Sequence, residues 1–600
     1  MSFMFNPYPY DDVSAVNTPV YAADQGDLLL EGTLQTARKL AREAESKLAG
    51  AQQVVLAIDG YATAPFEQLV RLMRRFLTCD TEVIDVSAWY KGADELTRQF
   101  APYLPDDRKK DPPLLFGKLY KDGAKTYFDA DKLSTAVARL EEKSFHGVVI
   151  LYGCFAGLEQ VRPSIDILAY IDVIPKNVVL RLKHGQHGNI GDAAPQRNYR
   201  GLMRRAYYCD LEASGEHRSE LLQQGCLDYY ITGNDQDHMQ LLSWELLKKV
   251  CDALVRQPLR CKPVYNEGVW GGYYTKHLRN LPGDMKNCAW VFDLIPSEVS
   301  LLASIGSSLI DIPFYTFLRL TSKDLLGSYS IQQFGEYFSV RFNYDDTMHS
   351  SGNMSIQIHP GETFARKNFH ELGGQDESYF VVDAGLGGKT YCGLKEGADA
   401  DEFFNAVRKS EKEGVPVDYH TYVHAVPTKP GMQFMLPAGT IHSSGRNQLV
   451  LEIGSLTVGS YTFKLYDYNR KDLDGTLRPI HSEYGEQVLD RSRRTSWVQE
   501  HLIREPVLND APHNEQVLGE IDEMYFSLSL LTCEQEIQQD TQGKFHVLAL
   551  VDGECVTVAS EEHPQYSYEM NYLDIIVVPA CVGAYKIINK GDHPVGVHKT

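Results

Sequence analysis

The chain has 600 residues, of which 43% are hydrophobic and 23% charged, as is usual for a globular protein of roughly two to four domains. Its 80 acidic and 59 basic side chains give a formal net charge of −21, so no excess of cations is present to neutralise nucleic-acid phosphates. Eleven scattered cysteines without a C-x-x-C pair predict reduced thiols and a cytoplasmic protein. Residues 1–12 lack the features of a signal peptide, and the longest apolar run, 147–158, is too short to cross a bilayer. We therefore expect neither nucleic acid nor a membrane as a partner.

The first 258 residues alternate between buried-strand and helical patterns. Helical spacing is present at 28–48 and 131–142, among other segments. Continuous apolar runs rich in β-branched residues predict strands at 53–60, 82–86, 147–153 and 177–181. Strands separated by helices are typical of a doubly wound parallel sheet, so we predict one α/β domain over 1–258.

This half of the chain resembles P-loop kinases of the uridine and nucleoside kinase type. The resemblance rests on the strand and turn ending at Asp59-Gly60, the stretch 85–90 and a later helix with two adjacent arginines. It departs where phosphate would bind, because Pro65, Phe66 and Glu67 replace the second glycine, the lysine and the hydroxyl residue of the phosphate loop. We therefore predict a degenerate kinase-like fold without phosphotransfer; an unrelated doubly wound domain is the alternative.

The stretch 355–360 is the first sign of chemistry in the second half. It reads Ser-Ile-Gln-Ile-His-Pro, an alternating pattern that predicts a strand. Gln357 and His359 then share one face, since side chains two apart in a strand point the same way. Glu377 follows in a Gly-led turn before another strand, and His442 follows the turn Pro437-Ala438-Gly439. Each alone is more often an ordinary hydrogen-bonded residue, but together they can form a metal site.

These motifs, in this order, resemble the type I phosphomannose isomerase family of cupins. An aromatic turn followed by Trp270-Gly271-Gly272 matches the family's opening, and the likeness extends over 262–600. The resemblance implies one Zn²⁺ per chain, bound by Gln357, His359, Glu377 and His442. It also implies a metal-binding cupin domain at 259–500 and a second cupin domain without metal ligands at 501–600.

The family architecture predicts a β-sandwich, or jelly roll, for each cupin domain. We expect helical insertions in the first one, at about 297–304 and 400–410. In the second cupin domain, His546 is expected to be structural because no other ligand-type residues accompany it.

Two residues on later strands are candidates for catalysis. Glu452 is the predicted carboxylate near the metal, with pairing to Arg446 or Lys464 as an equally weighted structural alternative. Lys464 stands where the family usually has an arginine, so the resemblance places its positive charge beside the sugar or its phosphate. Lysine lacks the planar fork of arginine, so this is not a conservative change.

A second departure from the family concerns Gln375, since bacterial relatives carry a lysine at that position. Glutamine supplies neither a cation nor a base. Arg366 and Lys367 could bind the substrate phosphate instead, although such a pair more commonly forms an exposed basic face.

The resemblance implies a zinc-dependent aldose–ketose isomerase that interconverts mannose 6-phosphate and fructose 6-phosphate, or a closely related sugar phosphate. The reaction would transfer a proton between C1 and C2 through a cis-enediol, with metal and base lowering the barrier. The alternative is a non-catalytic sugar-binding regulatory protein with a retained metal site. An iron-dependent cupin oxidase is a more distant alternative, because glutamine is an unusual iron ligand.

Overall fold

A computed structural model describes residues 6–22, 24, 26–192, 199–455, 457–505 and 515–600. The chain forms several regions, an N-terminal α/β layer followed by stacked antiparallel sheets. All eleven cysteines are free thiols. Within the described ranges, no helix is both long enough and apolar enough to cross a membrane.

The N-terminal region is a mixed sheet flanked by helices. Its sheet order is β2-β8-β7-β6-β3-β5-β4, with β4, β5, β3, β6 and β7 parallel to one another. The strands up to residue 243 are β1 (Val16–Asn17), β2 (Leu29–Glu31), β3 (Gln53–Gly60), β4 (Thr81–Asp85), β5 (Gly147–Tyr152), β6 (Ile167–Asp172), β7 (Tyr229–Thr232) and β8 (Gln240–Ser243). The α-helices are α1 (Thr33–Leu48), α2 (Phe66–Met73), α3 (Ala93–Phe100), α4 (Ala130–Glu142), α5 (Pro175–Lys183), α6 (Tyr199–Arg205), α7 (Leu211–Gln224) and α8 (Trp244–Leu254).

The predicted parallel arrangement holds for five strands of what is a mixed sheet, since β8 pairs antiparallel with β7 and β2, and the predicted strand at 177–181 is wrong. That segment lies inside α5, which begins with Pro175 in its first turn, where a missing N–H costs nothing. Val178, Val179 and Leu182 form its buried face. Two adjacent valines suggested a strand, whereas their spacing to Leu182 is helical.

The central region contains two large antiparallel sheets, and its strands β11 and β12 form a small third sheet with β1. One runs β22-β18-β15-β20-β13-β10-β9 and the other runs β17-β16-β19-β14-β21. Its strands are β9 (Val264–Asn266), β10 (Trp290–Leu294), β11 (Ser300–Ile305), β12 (Ser308–Pro313), β13 (Val340–Asp346), β14 (Ile356–Ile358), β15 (Glu377–Ala384), β16 (Lys389–Leu394), β17 (Val423–Pro427), β18 (Gln433–Leu436), β19 (His442–Ser444), β20 (Gln448–Ser455), β21 (Phe463–Tyr466) and β22 (Ile503–Arg504). Its helices are α9 (Tyr274–Leu278), α10 (Phe314–Phe334), α11 (Glu362–Phe369), α12 (Ala400–Glu413), α13 (Tyr419–Tyr422), α14 (Ser482–Val488) and α15 (Thr495–His501).

One of the two predicted helical insertions is confirmed. The segment 400–410 lies in α12, whose Asp399 side chain accepts hydrogen bonds from two first-turn amides. The segment 297–304 is largely strand instead, because β11 pairs with β12 through a tight turn at Gly306. The inserted helix of this part of the chain is α10, which sequence patterning did not identify and which is interrupted at Thr321 and Gly327.

The C-terminal region repeats the two-sheet arrangement on a smaller scale. Its sheets run β23-β24-β31-β26-β29 and β25-β30-β27-β28. The strands are β23 (Glu515–Gly519), β24 (Leu528–Cys533), β25 (Glu536–Asp540), β26 (His546–Asp552), β27 (Cys555–Ser560), β28 (Ser567–Asn571), β29 (Ile575–Val578), β30 (Ala584–Asn589) and β31 (Val595–Lys599).

Buried polar contacts join the three regions. The Thr316 hydroxyl of α10 donates to Asp172 of β6, which connects the central and N-terminal regions. Arg260, which lies between the same two regions along the chain, pairs with Asp574 of the C-terminal region at 2.9 Å. Strand β1 pairs in parallel with β11, so the N-terminal segment also lies on the central region.

Candidate metal site and the cavity beside it

Strands of both central sheets bring the four predicted ligands together. Gln357 lies on β14 and His359 directly after it, while Glu377 and His442 are the first residues of β15 and β19. All four are at least 95% buried. Gln357 pairs in register with His442 across β14 and β19, so those two side chains leave the same sheet face.

The ligand atoms are spaced as a metal site requires. Glu377 Oε2 lies 3.2 Å from His359 Nε2 and 3.3 Å from His442 Nε2. The Gln357 amide nitrogen is 3.4 Å from each of the same imidazole nitrogens. Donors at about 2.0–2.1 Å from a tetrahedral metal are about 3.3–3.4 Å apart. The four side chains therefore fit one small divalent ion, with the Gln357 amide turned to present its oxygen.

The hydrogen bonds around the histidines leave acceptors facing one another. His442 Nδ1 lies 2.9 Å from the Thr440 carbonyl oxygen, and His359 Nδ1 lies 3.0 Å from that of Tyr461. A carbonyl only accepts, so these contacts favour a proton on Nδ1, and in the neutral ring Nε2 then presents a lone pair. Glu377 Oε2 is buried without a hydrogen-bond partner among the described residues. With both rings neutral, three lone pairs converge on one point, and a cation at that point would stabilise them.

Neighbouring residues fix the charge and orientation of Glu377. Burial opposes its ionisation, but His359 and then Arg341 hold the pKa of Glu377 well below its ordinary value. Arg341 donates to Glu377 Oε1 at 2.6 Å. The Gln375 amide nitrogen donates to the same oxygen at 3.1 Å, and Tyr461 N–H donates to the Gln375 amide oxygen at 2.8 Å. Gln375 therefore holds a predicted ligand in place.

A cavity of about 90 Å³ opens beside this cluster. Gln357, Glu377, Glu452 and Arg341 line its inner part. The loop 457–460 lines another wall, and Glu371 fixes that loop by accepting hydrogen bonds from the N–H groups of residues 458 and 459. The cavity therefore offers a small, polar, well-ordered space next to the candidate metal ligands.

Glu452 lies on this cavity wall with its carboxyl group buried. Burial, Glu377 and Asp345 raise the pKa of Glu452 well above its ordinary value, and burial raises the pKa of Asp345 to about 7. Its cationic neighbour is Arg341 at 3.7 Å. The alternative pairing with Arg446 or Lys464 is not found among the described contacts.

The other predicted substrate residues lie outside the cavity lining. Lys464 is fully buried, with its ammonium 3.4 Å from Asp467 Oδ2 and near Arg478. Arg366 and Lys367 are exposed on α11, where Arg366 pairs with Glu362 of the same helix at 2.9 Å. The structure therefore brings together the four metal candidates and Glu452, and places these three cations elsewhere.

Sequence reasoning missed three residues that line the cavity. Arg341 had a signal, since it is a charged residue between Val340 and Phe342 on a strand whose apolar neighbours alternate with it. Tyr207 and Glu298 had none, because they come from distant parts of the chain and meet only in the folded protein.

Known proteins match this chain in two ways, through one family model and through several mannose-6-phosphate isomerases. The family model of a domain of unknown function (DUF8485) matches residues 34–256. Mannose-6-phosphate isomerase ManA of Bacillus subtilis (strain 168) is 24% identical over 338 residues, which cover 56% of this chain and 96% of the relative. A mannose-6-phosphate isomerase of Streptococcus mutans is 29% identical over 136 residues, which cover 23% of this chain and 40% of the relative.

Solved structures of the same enzyme class also match. The crystal structure of the Bacillus subtilis mannose 6-phosphate isomerase aligns over 57% of this chain and 99% of its own, with a TM-score of 0.45 and 16% identity. The sequence matches establish distant homology to mannose-6-phosphate isomerases, and the antiparallel sheets are consistent with the cupin domains of that family.

Proposed function

We propose that the central region is a metal-dependent aldose–ketose isomerase. The substrates to test first are mannose 6-phosphate and fructose 6-phosphate, or a closely related sugar. The observation that carries the proposal is the convergence of His359, Glu377 and His442 beside a cavity that Glu452 also lines. Distant homology to mannose-6-phosphate isomerases supports it.

In this proposal, different residues hold the metal ion and move the proton between C1 and C2. Gln357, His359, Glu377 and His442 would hold a Zn²⁺ ion, which supplies a Lewis acid that stabilises negative charge on substrate oxygen. Glu452 is the proposed base that exchanges the carbon-bound proton, because its carboxyl group lines the cavity beside the candidate metal ligands and its pKa is raised well above the ordinary value. Asp345 and Arg341, next to Glu452, adjust its affinity for that proton.

A coupled assay of mannose 6-phosphate conversion with added Zn²⁺ tests the proposal. Glu452→Gln keeps the size of the side chain but cannot accept the proton, so kcat should fall by at least about a hundredfold. Metal content measured on the same sample should be unchanged, because Glu452 is not a predicted ligand. Equal turnover by the wild type and Glu452→Gln would remove Glu452 from the mechanism.

A non-catalytic sugar-binding regulator is the second candidate. It is favoured by Gln375, a buried amide without acid–base capacity two residues before the predicted ligand Glu377. Metal and sugar binding without turnover of any aldose would support this candidate over the isomerase.

A further inference from the structure

A second, larger cavity lies between the N-terminal and central regions. Its volume is about 550 Å³, within the range of small-molecule sites. It shares four wall residues with the metal cavity, namely Tyr207, Ser297, Glu298 and Val458. The Tyr207 hydroxyl donates to the Val458 carbonyl oxygen and lies 3.4 Å from Glu298, and all three residues line both spaces. The metal cavity therefore adjoins the interdomain cavity.

The walls of the interdomain cavity carry no cation that is available for a phosphate. Among the described residues, each cation on its wall faces a carboxylate, in the pairs Lys121–Glu212 (3.1 Å), Arg319–Glu336 (3.3 Å) and Arg218–Asp172 (2.9 Å). Glu216 and Glu220 add further negative charge. In the metal cavity, Arg341 is likewise held by Glu377. A phosphate dianion would meet repulsion here without a compensating partner.

The same walls offer groups that suit an uncharged polyhydroxy compound. Five tyrosines line the interdomain cavity: Tyr61, Tyr120, Tyr207, Tyr315 and Tyr337. Aromatic rings contact the C–H faces of sugars, and phenolic hydroxyls both donate and accept. The Tyr315 hydroxyl is buried without a hydrogen-bond partner among the described residues. A ligand hydroxyl would satisfy it.

We infer that the interdomain cavity binds the non-reacting end of the substrate, and that this end is an uncharged saccharide or polyol rather than a phosphate. The inference rests on the proposed function, which places the reacting end of the substrate beside the candidate metal ligands. It gives the N-terminal region a part in substrate selection, since Tyr61, Tyr120 and Lys121 come from that region. Lys464, Arg366 and Lys367 line neither cavity, so they do not offset the negative charge of the cavity walls.

Calorimetric titration of the full-length, zinc-loaded protein with mannitol and with mannitol 1-phosphate tests the inference. Both are open-chain compounds that an isomerase cannot turn over. Mannitol should bind at least tenfold more tightly than its phosphate. Tighter binding of the phosphate, or no binding of either compound, would overturn the inference.

A parallel assay separates this inference from the proposed function. Mannose and mannose 6-phosphate are given to the same preparation, and ketose formation is measured. If mannitol binds more tightly than its phosphate but neither sugar is turned over, the isomerase proposal is wrong and the inferred binding site stands. Turnover of mannose 6-phosphate with a higher kcat/KM than mannose keeps the isomerase and overturns the uncharged substrate.

Two variants test the walls themselves. Glu216→Lys adds a cation at an exposed rim position, so mannitol 1-phosphate should gain at least threefold in affinity relative to mannitol. Glu216→Gln, the matched control, should change this ratio less. Tyr315→Phe removes the unpartnered hydroxyl and should weaken mannitol binding at least threefold without lowering Tm. Unchanged binding in both Glu216→Lys and Tyr315→Phe would contradict the inference.

Discussion

At the scale of single residues, the two histidines of the candidate metal site give the most direct test. His359→Ala and His442→Ala each remove one imidazole from a cluster of facing lone pairs. We expect the wild type to carry roughly one divalent metal per chain and each variant to lose most of it. Elemental analysis of the purified proteins measures this.

A third histidine provides the matched control for this measurement. His546 of β26 lies near Tyr585, 2.8 Å from its hydroxyl oxygen, in the C-terminal region. His546→Ala should keep the metal of the wild type. Full metal occupancy in both His359→Ala and His442→Ala would disprove the assigned site.

Lys464 is tested by separating stability from turnover. Burial and then Arg478 lower the pKa of Lys464 to about 8, and its ammonium lies beside Asp467 rather than on the cavity wall. We therefore expect Lys464→Ala to change Tm while kcat/KM of the folded protein stays within about threefold of the wild type. Lys464→Arg serves as the charge-retaining comparison. A tenfold loss of kcat/KM in Lys464→Ala alone, with Tm unchanged, would instead place Lys464 at the substrate.

The sequence identified the candidate ligands but not the residues that control their charge. Gln357 and His359 share a face by strand periodicity, and Glu377 and His442 lie in recognisable turns. Arg341 contacts Glu377 only because β13 and β15 both pair with β20, which is a long-range arrangement. No local pattern contains that information.

At the scale of elements, helix α10 joins the three regions. Thr316 contacts the N-terminal region, whereas Gly327 lies against Gly543 of the C-terminal region. Gly327 adopts φ 78° and ψ 158°, a conformation that only glycine adopts readily. A Cβ on Gly327 would lie 2.0 Å from the Gly543 carbonyl oxygen.

Gly327→Ala should therefore destabilise the protein more than an equivalent change elsewhere. Gly335 is the matched control, with φ 67° and ψ −157° but no atom closer than 3.9 Å to an added Cβ. We expect Gly335→Ala to cost about 1–3 kcal/mol from strain, and Gly327→Ala to cost more because backbone must also move. Thermal and denaturant unfolding of the two variants measures the difference. Equal Tm values would show that the close approach to Gly543 is unimportant.

The turn after β3 lies where a phosphate loop would bind a nucleotide. Residues 61–64 are buried, and Arg181 donates to the Thr63 carbonyl oxygen at 2.8 Å, so the turn faces protein. Asp59, at the end of β3, accepts hydrogen bonds from the N–H groups of Phe155 and Gly157.

We expect calorimetry with Mg·ATP to show no binding in the micromolar range, about −8 kcal/mol. The replacement of the phosphate-loop lysine by Phe66 gives the same expectation. Micromolar binding of Mg·ATP that Gly60→Val abolishes would show that this turn acts as a phosphate loop and would contradict the expectation.

Secondary structure was predictable where the periodicity was long and uninterrupted. Strand β3 has a continuous apolar run over 54–58, and α12 has an amphipathic pattern with an Asp399 cap, so both were identified. Segment 297–304 was assigned to helix because a short apolar run fits either type, and only its pairing with β12 makes it a strand. Helix α10 was missed because Gly327 interrupts its pattern.

At the scale of the whole molecule, His598 connects stability to pH. It lies between the central and C-terminal sheets, with its ring 5.2 Å from Phe380 and Nε2 3.4 Å from Gln433. Burial lowers the pKa of His598 from 6.5 to about 3. Between these two values the unfolded chain binds more protons than the folded protein, so this residue lowers stability as the pH falls below 6.5.

His598→Gln should therefore reduce the acid sensitivity of the protein. The wild type loses up to about 1.4 kcal/mol per pH unit through this one group, and the variant loses none through it. From pH 7 to pH 5, the Tm of the wild type should fall more than the Tm of His598→Gln. His563→Gln, at an exposed position of the same region, is the control. Parallel Tm profiles for wild type and His598→Gln would contradict the assignment.

The pairing of β1 with β11 has a consequence for the way this protein is made. Asn17 donates to the Leu302 carbonyl oxygen, which is 285 residues further along the chain. A ribosome that adds roughly 5–20 residues per second needs about 15–60 s to synthesise that interval. For that time, the segment around Val16 has been synthesised but its partner strand has not. This segment is thus placed late, and the intervening α/β region can fold before the segment has anywhere to bind.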